Sequence, residues 1–578
     1  MADERDDKKK AEDCIKTLEW LGKIREPYEN MVDEILTYIH HTRRRIKDQG
    51  KQKGKKTGQE VYDGTAFHAL NLLADGLAGY SMSRAFRWFE YTLPGKLNFP
   101  AWSGMRAWSG KRMDEFPDVK VWLESAEEVM YQAFLRSNFY DISPEIIKDC
   151  ASIGTVTIFA EEDVKEGRII FTAPHFRENF IAENAFGQVD VVYREYKLTL
   201  KQLVEKFTLD RMIEVHPGFR ELYEKNHYEE MKVLHATYPR DDFNPELLDG
   251  KNKPFASMWV LKDKKELIQE SGYKESPAIT WRWRKNNDEW YGRSPCWDAF
   301  VDIMTGNQQA KTNLIAGHKM AEPPMVAPSD LRGLVQSGPK GWTYIQGQVT
   351  KDNIPMPLQT GIQLPFAIEM MDRTDGKIRE HLFVDFFLML SQAAMENRNL
   401  TATQVIEMAG EKAAVLGPRI GRMETEALNP IHDRVWAIEA RAGRIPAPPD
   451  ILREYAGGDI ETDYMGPLSQ AQKKLFKSQG IRGGLEALAG LVEFFPQAGF
   501  VVNPLKTARM LLEASGFPSK GLRDEEETKL ALEAAAKQQQ QEEAITQGVE
   551  IAKAVPAAGK APEEGSPLKM LTETAGAE

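Results

Sequence analysis

Residues 291–324 read YGRSPCWDAFVDIMTGNQQAKTNLIAGHKMAEPP. Pro295 suits the first turn of a helix. The helix runs to about Met320, and Pro323 and Pro324 stop it. Its middle carries Asn307, Gln308, Gln309, Lys311, Thr312 and Asn313. A helix polar on most sides needs unusual surroundings. Two arrangements supply them: packing between neighbouring copies with one side wet, or the surface of an ordinary monomer.

Downstream, residues 321–364 hold Pro323, Pro324, Pro328, Pro339, Pro355 and Pro357, several glycines and short β-like pieces such as 342–346. They read as a compact lobe of loops and strands. A second helix follows Pro365 and runs to 388, with Ile368, Met371, Ile378, Leu382 and Phe386 near one face. A polar break follows at 389–400. A third helix is expected over 401–442, opened by a capping box of Thr401 and Gln404 and closed by Gly443 and Pro446. Straight, it would span ~63 Å. Pro418 and Pro430 inside it predict a kink, or two helices in tandem.

Upstream the pattern is mixed. Residues 15–45 have a helical period that Pro27 is expected to split in two. Helices are also expected over 65–82 and 119–137, and one opening at Pro144 with Ser143 as its cap. From Gly154 the period becomes two, predicting strands over 155–160, 168–173, 179–183 and 189–195, with a hairpin at 184–187. A short helix is expected at 199–207, then strands at 232–238, 256–261 and 278–284. The fold class is therefore α+β, mainly helical. Beyond Pro467, helices start near Ser469 and at Asn503, and 523–553 reads as a charged, Ala/Gln-rich helix. From Ala554 the composition predicts disorder.

The chain has 578 residues, with 75 Lys and Arg against 87 Asp and Glu, a formal charge of −12. That balance opposes firm, sequence-specific nucleic-acid binding. It does not oppose a surface that DNA slides past. Cys14, Cys150 and Cys296 are far apart, so neither a disulfide framework nor a zinc site is expected. The N-terminal residues are charged, unlike a signal peptide, and the longest apolar patch, 382–390, is far below a membrane span. A soluble protein is expected.

No catalytic motif is evident, and no cofactor or metal is expected. There is no HExxH and no GxSxG. The stretch from Gly50 through Gly54 to Thr57 has three residues between its glycines, and Lys56 stands where a phosphate-binding loop places Ser or Thr. It reads as a basic loop, solvated or brushing nucleic acid. His40 and His41 read as ordinary surface residues. Glu407 and Glu411 read as part of a charged helix face. Trp281, Trp283, Trp290 and Trp297 read as packing residues, or else as a stacking platform for bases. Glu161, Glu162 and Asp163 would have to serve any rival enzymatic reading.

Several stretches resemble one known family. They are 291–295 with the helix after it and 321–324; 401–406; 416–419 through 426–430; 442–449; 466–472; and 68–82 followed by Trp88. In order and spacing, over about 65–515, they are similar to the head-to-tail connector, or portal, proteins of short-tailed bacteriophages.

The resemblance implies a dodecameric ring in the virion, at a unique capsid vertex, assembled in the host cytoplasm. Residues 1–290 would form the wing, 291–320 and 365–388 the stem helices, and 321–364 the clip. Residues 389–400 would form a channel loop and 401–466 a kinked helix returning to the wing. The crown would be 467–522, with a helical extension at 523–553 and a tail at 554–578. The implied partners are the terminase large subunit, major capsid and scaffolding proteins, tail adaptor or tail tube proteins, and double-stranded DNA passing without sequence-specific binding. No membrane is implied. The alternative is another virion structural protein, a tail adaptor or a scaffold.

A pore for DNA should not grip its cargo, because every phosphate contact adds affinity. In the second helix, Arg373, Lys377 and Arg379 alternate with Asp372, Asp375 and Glu380. Arg373 and Lys377 share a face, expected to look into the channel or else to form salt bridges between subunits. In the polar break, Asn397, Arg398 and Asn399 are the candidates for DNA contact. A plain connector is the alternative there.

Overall fold

The computed structural model describes residues 2–43, 60–93, 112–113, 116–247, 249–326, 344, 354–357, 364–388, 415–455, 460–465 and 507. The chain divides into two compact units, Met1–Lys473 and Lys474–Glu578. All described residues except Thr507 belong to the first. The expected channel loop, extension and tail, the crown apart from Thr507, and most of the clip lie outside the described residues.

Helix α1 (Ala2–Tyr38) is one helix with Pro27 inside it, not two. Tertiary contacts on both sides of the proline hold it together. Before it, Cys14, Leu18 and Leu21 pack on a sheet; after it, Val32 and Leu36 pack with Ile153 and Tyr291. Arg25, just ahead of Pro27, donates to the carbonyls of Phe176, Arg177 and Asn179, and its guanidinium lies 3.7 Å from the Phe180 ring centre. The helix ends at Tyr38. His40 beyond it is buried, with Nδ1 3.0 Å from the Ser152 hydroxyl, so its expected surface position is wrong.

Helix α2 (Thr65–Ser81), strand β1 (Phe89–Thr92), α3 (Pro117–Arg136) and α4 (Phe139–Ile153) follow. Helix α4 starts five residues before Pro144 rather than at it. The carbonyl of Tyr140, which an N–H at position 144 would have bonded, accepts from the Ser143 hydroxyl instead.

Three strands, β2 (Thr155–Asp163), β3 (Arg168–Thr172) and β9 (Ala278–Arg282), form an antiparallel sheet in the order β3-β2-β9. A five-stranded antiparallel sheet runs in the order β4-β5-β6-β7-β8: β4 (Asn179–Glu183), β5 (Val189–Thr199), β6 (Glu230–Pro239), β7 (Phe255–Leu261) and β8 (Glu266–Tyr273). Alternation sorts its two faces. Leu234, Ala236, Met258 and Val260 meet α1. Val233, Trp259 and Leu261 meet α5 (Leu200–Phe207), α6 (Leu209–Val215) and α7 (Phe219–Lys225). Thr199 and Gln202 cap α5 reciprocally. The sequence did not announce β1, β8, α6 or α7.

Helix α8 (Pro295–Asp298) leads into α9 (Phe300–Ala321) with a step at Ala299. Strands β10 (Met325–Val326) and β11 (Met356–Pro357) pair antiparallel. Helix α10 (Leu364–His381) stops at a turn in which Phe383 has φ 56°, and helix resumes over 384–388. The expected unbroken second helix is therefore two pieces. Phe387 in the short piece sits against Gly76, where a Cβ would come within 2.5 Å of its ring.

Residues 415–441 are helical throughout, so Pro418 and Pro430 do not divide the described part. A π turn at Glu424–Leu428 precedes α11 (Asn429–Arg441), and the Asn429 N–H bonds the Glu424 carbonyl five residues back. That wider turn absorbs the missing donor of Pro430. Helix α11 ends in a Schellman motif at Gly443, φ 69°, with Arg444 N–H to Glu439 O and Gly443 N–H to Ala440 O. Helix α12 (Asp450–Tyr455) and β12 (Glu461–Tyr464) complete the first unit, with β12 pairing β1. Trp281 and Trp283 are buried at 1% and 4% exposure in the largest core, which rules out their use as a base-stacking platform.

Candidate functional site

Helices α9 and α10 pack side by side and run in opposite directions. The register is read from polar contacts along the seam. Asn313 Nδ2 lies 3.5 Å from the Ala367 carbonyl, the Thr374 hydroxyl 3.0 Å from Gln309 Oε1, and Asp302 3.6 Å from both Lys377 and His381. Numbers rise on one helix as they fall on the other. The β10–β11 ribbon joins the far ends.

The polar middle of α9 is used within the chain. Asn307 accepts from the Tyr62 and Asp63 N–H groups, at 2.7 and 3.3 Å, and donates to the Glu60 carbonyl. Lys311 lies 5.4 Å from the Tyr62 ring centre. Gln309 and Asn313 bind α10 across the seam. Only Gln308 and Thr312 of the six face outward. An intramolecular polar seam thus replaces much of the expected wet side.

The hairpin is buried at one end. Ile303, Gly306, Ile378 and Leu382 pack into the main core, whereas Leu314, Ile315, Met320, Phe366, Ile368 and Met370 are 41–63% exposed. Large exposed apolar side chains of this kind suit an interaction surface.

The near end is anchored by backbone contact. Gly154 and Gly292 approach so closely that a Cβ on either would fall 2.3–2.4 Å from the other's carbonyl oxygen. Gly154 also has φ 99°, a left-handed conformation suited to glycine. Around this pair, Gly292 N–H donates to the Thr155 hydroxyl at 2.7 Å, the Ser294 hydroxyl to Ser152 O at 2.6 Å, and the Trp297 indole to Ile153 O at 3.1 Å. The last two satisfy carbonyls at the end of α4.

Among the channel candidates, Arg373, Lys377 and Arg379 are exposed on α10. Arg373 and Lys377 share one flank, where Lys377 approaches Asp302 of the same chain. Arg379 lies on the other flank, beside Asp375. Burial and the neighbouring Asp63 push the Asp375 carboxyl up, and Arg379 opposes that shift. The three cations therefore do not form one surface. Asn397, Arg398 and Asn399 lie outside the described residues, as do Glu407, Glu411 and the loop from Gly50 to Thr57.

A family model described as bacteriophage head to tail connecting protein matches residues 11–522. The chain belongs to that connector family. The portal protein of Salmonella phage epsilon15 is 27% identical over 545 residues, covering 93% of each chain. A probable portal protein of Bordetella phage BPP-1 is 26% identical over 479 residues, covering 81% of this chain and 82% of its own.

Sequence reading missed the residues that fasten this connector's hairpin to its body. Asn307 was seen only as a polar oddity, and its partners lie 245 residues away along the chain. Arg282 was not singled out. It is buried and binds Glu183, Glu426 and the Gly187 and Trp290 carbonyls. Among the described residues no helix is long and apolar enough to cross a membrane, and no cluster of metal-type ligands occurs.

Proposed function

We propose that the chain is one subunit of an annular portal, most simply a dodecamer, at one vertex of a phage capsid. The single observation that carries the reading, beyond family membership, is the antiparallel α9–α10 hairpin. It is rooted in the body, polar along its internal seam, and carries exposed apolar side chains toward its far end. Such a pair hides its own polar groups and leaves apolar area for a neighbouring copy.

In this reading 1–290 is the wing, 291–320 and 365–388 the stem, and 321–364 the clip. Residues 389–400 form the channel loop, and 401–466 return to the wing. Residues 467–522 form the crown, 523–553 a helical extension and 554–578 a tail. The ring passes double-stranded DNA inward during packaging and outward at ejection. Its partners are the terminase large subunit, then tail adaptor and tail tube proteins, with major capsid and scaffolding proteins around it. The role is structural, and the energy for packaging comes from the motor.

The flank carrying Arg373 and Lys377 faces the DNA, as do Asn397, Arg398 and Asn399. Acidic neighbours keep the grip weak, since each unopposed phosphate contact would add salt-dependent affinity. Negative-stain images of the purified protein test the ring: annuli with a central hole are expected, and a compact monomer at all concentrations would overturn the reading. Lys377→Ala tests the channel face. Intact rings with altered DNA retention are expected, and loss of rings would assign the residue to a subunit interface.

A further inference from the structure

An open cleft of about 790 Å³ lies between α11 and the β1–β12 ribbon. Its size falls within the ~300–1,000 Å³ typical of small-molecule sites. Its walls include Tyr91, His432, Asp433, Trp436 and Glu461. Helical spacing brings His432, Asp433 and Trp436 to this side of α11, while the ribbon supplies Tyr91 and Glu461.

The chemistry of the walls is one-sided. Asp433 and Glu461 are carboxylates, and no Lys or Arg is among the described lining residues. Asp433 is exposed, yet partial burial pushes its carboxyl up, and no described cation is seen to pair with it.

Two aromatic rings complete the walls. Tyr91 and Trp436 meet at 88° with centres 5.3 Å apart, so a ring face and a ring edge are fixed at right angles. The Tyr91 hydroxyl is 3.1 Å from His432 Nδ1, which holds the phenol in place. His432 is 2% exposed, and its Nε2 has no hydrogen-bond partner. A buried polar atom without a partner is uncommon and sets His432 apart from the other wall residues.

We propose that this cleft binds an organic cation of the alkylammonium or guanidinium class, paired with Asp433 and Glu461 and laid against Trp436. Aromatic faces attract such cations, and Trp does so most strongly. An anion would meet two carboxylates with no described cation in the lining to offset them. An apolar guest would leave Asp433 without a partner in a drier site. The cation is a free polyamine or the side chain of a basic segment on another protein, and both present the same group.

Full-length protein is titrated by calorimetry with spermidine, with agmatine, and with a capped arginine-containing peptide amide. Trp fluorescence is recorded in parallel. The expected result is saturable binding of at least one of them, one site per chain, weakened about tenfold or more (about 1.4 kcal/mol) by Asp433→Asn and again by Trp436→Leu. The ligand that binds tightest identifies the source. Circular dichroism of each variant controls for folding, and Glu461→Gln at the exposed ribbon provides a second, gentle variant. Absence of saturable binding by all three ligands overturns the proposal. So does affinity that neither Asp433→Asn nor Glu461→Gln changes, because a net charge of −12 attracts polyamines everywhere. Binding is read per chain, so the outcome is independent of ring formation.

Discussion

Arg282 ties together three distant stretches of chain. Its guanidinium meets Glu183 from the β4–β5 hairpin, the Gly187 carbonyl at that hairpin's turn, and Glu426 from the π turn. Lys285 also reaches Glu183, and Arg422 also reaches Glu426. Removing one partner of a buried network strands the others, at a cost of ~3–5 kcal/mol. Arg282→Ala should lose stability of that order in denaturant titration. Arg282→Lys should recover little, because a single ammonium cannot span two carboxylates from opposite sides. A variant as stable as the parent would show that Lys285 and Arg422 suffice. Buried titratable groups give this chain a definite acid response. His40 and His432 are held down to about 3 by burial, and His235 is also lowered well below its usual value. The unfolded chain takes up these protons below about 6.5 and the folded chain does not, so stability falls as pH drops through that range. Burial pushes Glu127 up to about 7 and Asp149 up to about 6. The folded state binds those protons first, so acidification through these values adds stability. Asp190, Asp375 and Asp433 are raised as well, so carboxyls and histidines oppose each other as pH drops. Glu127→Gln removes one of the carboxyl gains, so between pH 7 and 4.5 its melting temperature should change less favourably than the parent's on acidification; an identical pH dependence would contradict this.

At the scale of elements, the strands with strict alternation were legible, and so were the helices with clear stripes. Every strand expected between 155 and 261 is present within a few residues. What escaped were elements whose signal is tertiary. Strand β8 (Glu266–Tyr273) carries Glu266, Gln269, Glu270 and Ser271, too polar to announce itself, and it exists because β7 offers it an edge. Prolines were over-read. Pro27, Pro144 and Pro430 all sit inside helices, compensated respectively by flanking anchors, the Ser143 hydroxyl and a π turn. The hairpin's location was readable, but the task of its polar residues was not, since spacing cannot reveal a partner at position 62. Asn307→Ala should therefore speed hydrogen exchange at the Tyr62 and Asp63 amides by tenfold or more, with a global loss of only ~1–2 kcal/mol. Unchanged exchange at both amides would mean that the 60–63 segment is held by something else.

For the whole molecule, the proposed ring rests on the exposed apolar side chains of the hairpin. Ile368, on the α10 flank that carries Arg379 rather than Arg373, and Leu314 of α9 are 45% and 53% exposed. Their joint replacement by Gln should leave the chain folded by circular dichroism while abolishing annuli in images and shifting sedimentation to the monomer. Rings of normal size from that variant would place the contact between copies elsewhere. The charges on α10 could be named from the sequence, but the approach of Lys377 to Asp302 required the register with α9.

The Gly154–Gly292 clasp has a mechanical consequence. Two peptide planes in direct contact leave no side chain to flex between them, and the flanking hydrogen bonds stiffen the joint further. A push delivered along the hairpin by a passing polymer would therefore travel straight into the sheets, tilting lever and body as one rigid piece. An added methyl at either glycine would work like grit in a bearing, loosening that transmission before it harmed either part alone.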